Sequence, residues 1–384
     1  MEFMDASYAV EAFFMLSGFY MALILDRTYQ GWHAYRIFIE NRLLRIFPVY
    51  WVTLALTIPL VWYGSVASNM AASGAGLTNL LFTSTFSTVL EFPSIVLLAV
   101  SHLFIVGTEF VYFLIGSPSG TYGIVEFNAA PRPESVPLGL FLFVPQAWSL
   151  SLEMMFYLAA PFLVRWRTRN IVGLLLLSLA LCAVMALTTN LMERPLQFRF
   201  KSLPNEFWTF AAGILMYRAY GALQPRLNQR RVAVAAVVLL IAASILYRYI
   251  PGMQSWVYLA LVFVFVPLAF PLYERDQVHS AMVEKLLAVD RFAGDLSYPL
   301  YISHALALWS IYAFWPGGSA RLGVHFALFA AAWSVVVATL MLKLVSEPVD
   351  RARARNRARL EAGPDRATLR REARTERRRS SRSG

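Results

Sequence analysis

A single cysteine among 384 residues, Cys182, leaves nothing to form an intrachain disulfide and no thiolate cluster for a metal. Charge is also scarce, since Asp, Glu, Lys and Arg make up 15% of the chain, against about 25% in soluble proteins. That is too little to cover a water-facing surface, which argues against a soluble globular enzyme. What abounds is apolar: 58% of residues are hydrophobic and the mean hydropathy is +0.54. Several windows reach the roughly 20 apolar residues that cross a bilayer, and none alternates as a membrane barrel strand does. The expected fold is all-α, a polytopic membrane protein with about ten transmembrane helices in one bundle. Cys182, inside the apolar run Ile171 to Leu187, reads as a core residue.

The net charge of +11 is unevenly placed. From Arg351 onward there are thirteen Arg against four acids, Glu361, Asp365, Glu372 and Glu376. Nine of the eleven excess charges therefore sit in this tail, which argues against nucleic acid as a partner of the body of the protein. The tail lacks apolar periodicity. Residues 349–384 are expected to be a disordered, Arg-rich cytoplasmic extension lying on anionic lipid, and residues 1–348 the transmembrane domain.

Arginine placement also orients the spans. Tyr8 to Leu25 is a first span without the basic n-region or cleavage site of a signal peptide. The segment Asp26 to Arg45 carries Arg27, Arg36, Arg42 and Arg45 and reads as a cytoplasmic loop, which puts the N-terminus outside. A second span is expected over Ile46 to Tyr63. Gly64 to Pro93 has no Lys or Arg and suits the outer face. The region Ala72 to Ile115 crosses either twice, turning near Glu91 to Pro93, or not at all. Two crossings are favoured, because the Arg165, Arg167, Arg169 cluster must return inside. Further spans are expected over Gln146 to Pro161, Ile171 to Thr189, Glu206 to Tyr220, Val232 to Ile250, Trp256 to Tyr273, Leu296 to Trp315 and Leu322 to Val345. Asp276 to Asp295 reads as a mixed-charge cytoplasmic loop. The outer loop Thr189 to Asn205 holds Glu193, Arg194, Arg199 and Lys201 against the charge bias, either as a contact for an anionic substrate or as a tolerated exception. No internal repeat of the transporter kind is visible.

The candidate chemistry centres on Gln146 to Pro161, QAWSLSLEMMFYLAAP, an apolar segment that carries Glu153. A helix starting near Trp148 buries this carboxylate roughly 7 to 8 Å below its entry point. A charge at that depth points to an inward-facing, partnered group on a substrate path; the plainer alternative is a structural Glu reaching the interface. Among five histidines, His304 lies in the spanning run SYPLYISHALALW. There it can serve as a general base, oriented by a carboxylate such as Glu153, or simply bond a neighbouring helix. His102 lacks polar company, His33 and His279 read as solvated, and His325 sits near a membrane face. Arg42 and Arg45, three apart on one helix face, form either a phosphate site at the cytoplasmic mouth or an ordinary positive-inside anchor.

Several segments together resemble the membrane-bound acyltransferase 3 family of bacterial O-acyltransferases. They are FFMLSGF (Phe13 to Phe19), RLLRIFPVYW (Arg42 to Trp51), WSLSLEMMFYL (Trp148 to Leu158), SYPLYISH (Ser297 to His304) and VSEP (Val345 to Pro348). Each is weak alone, but their order and spacing cover most of the chain. The resemblance implies a bacterial inner-membrane enzyme that takes an acyl group, often acetyl, from acyl-CoA on the cytoplasmic side. The acceptor would be a hydroxyl of a cell-surface carbohydrate such as exopolysaccharide or lipopolysaccharide, with no tightly bound cofactor. It implies Arg42 and Arg45 as donor-binding residues, Glu153 and His304 as the catalytic candidates, and Trp148, Ser149, Ser151, Tyr157, Tyr298 and Tyr301 as lining of the pore.

The sequence departs from the family pattern at its start, where members normally carry a further helical segment with an Arg and a His regarded as catalytic. No residue here matches that His. A start assigned too late is the favoured explanation; the others are a non-catalytic relative, or an enzyme in which His304 has taken the role. Outside this class, a transporter or flippase of polysaccharide precursors would use Glu153 and His304 as a proton relay.

Overall fold

The structure, a computed structural model, describes residues 6–29, 32–67, 92–116, 126–127, 136–191, 202–227, 230–246, 255–270, 281–315 and 322–361. The helices are α1 (Ala6–Arg27), α2 (Trp32–Ala67), α3 (Phe92–Phe104), α4 (Thr108–Val111), α5 (Ala147–Leu163) and α6 (Thr168–Leu191). They continue with α7 (Leu203–Leu227), α8 (Arg230–Leu246), α9 (Ser255–Ala269), α10 (Ala281–Phe314), α11 (Phe326–Met341) and α12 (Glu347–Glu361). The all-α expectation holds apart from a small antiparallel sheet of β1 (Leu114–Gly116), β2 (Glu126–Phe127) and β3 (Val136–Pro137), in the order β2-β1-β3. Leu114 pairs with Phe127, and Ile115 with Glu126 on one side and Pro137 on the other.

Among the described residues, four helical stretches are long and apolar enough to span a membrane: Ala9–Arg27, Ala34–Tyr63, Thr168–Leu187 and Phe326–Arg355. Shorter apolar helices cover Ile95–Phe104, Ala147–Leu163, Val232–Ala243 and Val257–Ala269. Among the described residues these stretches do not confirm the expected count of about ten spans. The two kinds of long helix differ in what surrounds them. Only 11% of the Thr168–Leu187 window is buried inside the protein, against 61% of Ala9–Arg27. Leu176, Leu177, Val184 and Leu187 of α6 all point outward, as residues solvated by lipid do, whereas α1 is the central post.

Around that post the packing is set by small residues. Gly18 of α1 meets Gly213 of α7 so closely that a Cβ on Gly213 would lie 2.1 Å from the Met15 carbonyl oxygen, and one on Gly18 2.3 Å from that of Phe210. Only glycine permits such backbone contact between membrane helices. The aromatic core fills in beside it: Phe210 stacks on Phe156 of α5 with ring centres 4.2 Å apart and touches Phe14 of α1 at 4.6 Å. Arg218 of α7 clamps the turn between α5 and α6, donating to Thr168 Oγ1 and to the Val164 and Trp166 carbonyls that end α5.

Four expectations are corrected. Most of the expected cytoplasmic loop Asp26 to Arg45 is helical, because α2 begins at Trp32 and runs unbroken past Pro48 and Pro59. Likewise α10 starts at Ala281, inside the expected loop Asp276 to Asp295. A helix longer than about 20 residues simply extends its polar end beyond the hydrocarbon. In the region Ala72 to Ile115, the part after the expected turn near Glu91 to Pro93 is not one continuous helix: α3 stops where Ile105 (φ 66°) and Gly107 (φ 86°) enter the left-handed region, which no helix interior tolerates. At the C-terminus, the chain bulges as a π turn over Leu342–Ser346, ahead of Pro348, and continues as α12 to Glu361, so the first part of the expected disordered tail is helical. The possible crossing Ala72 to Leu90, the charged residues Glu193 to Lys201, His279 and the tail beyond Glu361 lie outside the described residues.

Candidate active site

The segment around Glu153 forms helix α5, and six residues from its first turn the carboxyl is 5% exposed. Burial at that level requires hydrogen-bond donors. Two arrive on one oxygen: Ser17 Oγ of α1 at 3.1 Å, and Tyr157 OH, one turn further along α5, both on Oε1. Oε2 receives no hydrogen bond from the described residues. FFMLSGF therefore has two duties on adjacent residues, with Ser17 turned to the carboxylate and Gly18 against α7.

From α2, the guanidinium of Arg42 lies over the rings of Phe38 and Tyr157, 5.5 and 5.7 Å from their centres. Arg45 and Arg42 both act electrostatically on the Glu153 carboxyl. Neither has a carboxylate within ion-pair distance among the described residues, and the buried Nε of Arg42 has no hydrogen-bond acceptor. Arg45 is exposed and lines a cleft together with Asp295, Tyr298, Ser346 and Asp350. The charge thus runs inward from an open cleft to a buried carboxyl.

Helix α10 closes the other side with SYPLYISH. Tyr298 OH donates to the Ile46 carbonyl of α2 at 2.6 Å, tying α10 to the turn next to Pro48. Tyr301 OH meets Ser149 Oγ at 2.6 Å and stacks on Phe13. Gln146 Nε2 bonds the Ile302 carbonyl at 2.7 Å, fixing the start of α5 against α10. Trp148 packs edge-on to Phe14. Tyr157, Tyr298 and Tyr301 all lie within electrostatic reach of Glu153.

Two sequence expectations come out differently. The expected pairing of His304 with Glu153 is not formed: His304 Nδ1 sits 2.7 Å from the Tyr301 carbonyl of its own helix, and Glu153 is satisfied by Ser17 and Tyr157. Nδ1 can only donate to a carbonyl, so in the neutral imidazole Nε2 is the nitrogen with the free lone pair. Ser151, two residues before Glu153, is rotated about 200° away from it. Its Oγ accepts the Gly107 N–H at 3.0 Å, and it faces Glu109, a fully buried carboxyl on α4. Ser151 therefore lines a different surface from Ser149.

Sequence reasoning missed Ser17, Glu109 and the buried pair Glu11 and Glu206. Ser17 was signalled by the FFMLSGF segment itself; the acids sit at the ends of apolar runs, where a charge passes for an interfacial residue. His102 is better accompanied than expected, with Nδ1 2.6 Å from the Leu98 carbonyl and Nε2 accepting the Phe143 N–H at 2.9 Å.

Long helices with apolar outer faces surround a buried carboxyl, and two arginines without a carboxylate partner among the described residues stand beside it, an arrangement that fits a membrane protein with an internal polar site. The chain belongs to the acyltransferase 3 family: the family's acyltransferase domain matches residues 2–343. It is an acyltransferase that moves groups other than aminoacyl groups. No curated protein and no solved structure matches it.

Proposed function

We propose that this membrane enzyme transfers an acyl group, acetyl in the simplest case, from acyl-CoA to a hydroxyl of a cell-surface carbohydrate. Its place would be the bacterial inner membrane, with α12 and the tail on the cytoplasmic side. The observation that carries the reading is that Arg45 and Arg42 both act on the buried Glu153 carboxyl, with Arg45 on an open cleft. Cations without carboxylate partners receive the donor's phosphates at the mouth, and a buried carboxyl with an unoccupied oxygen waits where the acyl end arrives. The acceptor hydroxyl attacks the thioester carbonyl, its proton passing to a base, and the C–S bond then breaks. The sulfur leaves as a thiolate that recovers the proton, so the sum is one ester and one CoA thiol. Tyr157, Tyr301 and Ser149 supply hydroxyl donors around the reacting carbonyl.

Two groups present a basic lone pair, Glu153 Oε2 and His304 Nε2, and the experiment separates them. Membranes holding wild type, Glu153→Gln or His304→Ala are assayed for transfer of labelled acetyl from acetyl-CoA to surface carbohydrate. Loss of a general base costs roughly 100-fold or more. The expected result is that Glu153→Gln falls by at least that factor and His304→Ala by less than tenfold. The reverse order would hand the base role to His304, and full transfer by both variants would refute the site.

A further inference from the structure

The three arginines Arg42, Arg45 and Arg353 come from two helices that the sequence reading kept apart. Arg353 belongs to α12, beyond the region that matches the family domain. Its side chain is only 18% exposed, low for a residue in a run assigned to solvent. Helix α12 packs against α2, and Arg353 Nε reaches Asn41 Oδ1 at 3.4 Å, while Asn41 donates to Tyr29 OH at 3.0 Å. Arg353 Nη1 is held by Asp350. Nη2 makes no hydrogen bond to the described residues, so the guanidinium is aimed by two partners and has one edge open.

That placement is electrostatically unfavourable without a ligand. Arg42 and Arg45 both repel Arg353. Asp350 offsets part of this, and Asp295 and Asp350 line the neighbouring cleft with Arg45, but Arg42 and Arg45 keep no carboxylate of their own. Cations converge in this way where a polyanion supplies the missing charge. Position adds a direction. Asn41, which Arg353 touches, adjoins Arg42 and precedes Arg45 by four residues, about 6 Å along α2, so Arg353 sits toward the polar start of that helix while Glu153 is buried in α5.

We propose that α12 completes the donor site, with Arg353 binding the outermost phosphate of the donor, the 3′-phosphate at the nucleotide end of coenzyme A. This rests on the reading of Arg42 and Arg45 as the donor site. Coenzyme A carries a diphosphate and a separate 3′-phosphate on its ribose. With the acyl end directed at Glu153, the diphosphate falls to the α2 pair and the 3′-phosphate is the group left for Arg353.

The test is binding of coenzyme A and of 3′-dephospho-coenzyme A to the full-length protein in nanodiscs of neutral lipid, by calorimetry. Wild type should prefer coenzyme A by about tenfold, the worth of one charge-assisted contact. Arg353→Gln should abolish that preference while leaving dephospho-coenzyme A affinity unchanged, and Arg353→Lys should keep part of it. Because the readout is a ratio within one preparation, partial misfolding does not imitate it. Arg42→Gln and Arg45→Gln should weaken both ligands alike; if they weaken neither, the donor-site reading falls and this proposal with it. If they do but Arg353→Gln keeps the wild-type preference, only the role of Arg353 is overturned. Repeating the measurement with anionic lipid distinguishes the other source of phosphate. Competition by lipid that disappears in Arg353→Gln, with the ligand preference intact, would assign Arg353 to lipid headgroups and overturn the proposal.

Discussion

Two glycines on one helix should respond to the same substitution with opposite sign. Alanine at Gly213 places a methyl 2.1 Å from the Met15 carbonyl oxygen, 2.7 Å from Phe19 N and 2.8 Å from Gly18 Cα. All three are backbone atoms and none can rotate away. Ordinary contact requires α1 and α7 to separate by about 1 Å, and overpacking of that kind costs about 1–3 kcal/mol. The helix-propensity gain of Ala over Gly returns about 1 kcal/mol, so the net loss should be about 2 kcal/mol at the upper end. Eight residues on, Gly221 has no atom within 4 Å of its added Cβ, and there the propensity term acts alone, stabilising by about 0.5–1 kcal/mol. Thermal unfolding of purified wild type, Gly213→Ala and Gly221→Ala in one detergent measures both. Gly213→Ala should melt several degrees lower and Gly221→Ala slightly higher. Ser17 rides on α1, 3.1 Å from Glu153, so a shift of about 1 Å also takes that bond beyond reach and acyl transfer should fall. Equal melting of Gly213→Ala and wild type, or equal destabilisation of the two variants, would refute the claim that backbone contact at α1 and α7 fixes the site.

Tyr157→Phe removes one of the two donors to Glu153 Oε1 and should lower kcat about tenfold, with KM for acetyl-CoA changed less than twofold, in an initial-rate assay. His102→Ala should act on stability instead. It leaves the Phe143 N–H without its acceptor, costing about 1–3 kcal/mol, and should lower the unfolding temperature while KM for the donor stays as in wild type.

The residues most legible in the sequence were those that conflict with their surroundings. Glu153 stood out because an ionisable group in an apolar run needs a partner, and Arg42 and Arg45 because their spacing gives one helix face. What failed was the inference from charge to loop. Arg36, Glu40, Asp290 and Asp295 all lie on helices, since α2, at 36 residues and so about 54 Å long, far exceeds a hydrocarbon core of about 30 Å. Charge reports the depth of a residue in such a protein, not its backbone conformation. The partners of Glu153 were hidden for another reason. Ser17 is 136 positions away, and nothing local says which hydroxyl a buried carboxyl will find. Ser151 was assigned to the pore with the rest of its motif, and helix rotation carries it to the face opposite Glu153.

The close seating of α1 on α7 bears on how the protein is made. Helix α1 leaves the ribosome well before α7, whose surface accepts it and begins at Leu203, some 175 residues later by these positions, or roughly 10 to 35 s of synthesis. Through that interval Glu11 and Ser17 lack α7, and for most of it α5 as well, the neighbours that α1 packs against in the finished bundle. The membrane-insertion machinery must therefore shelter α1 at its lateral gate, or let it remain partly in water, until the middle of the chain arrives. Biogenesis of this enzyme is then timed by helix α7, and a pause in translation before Leu203 would be felt as a loss of assembled protein with no change in its sequence.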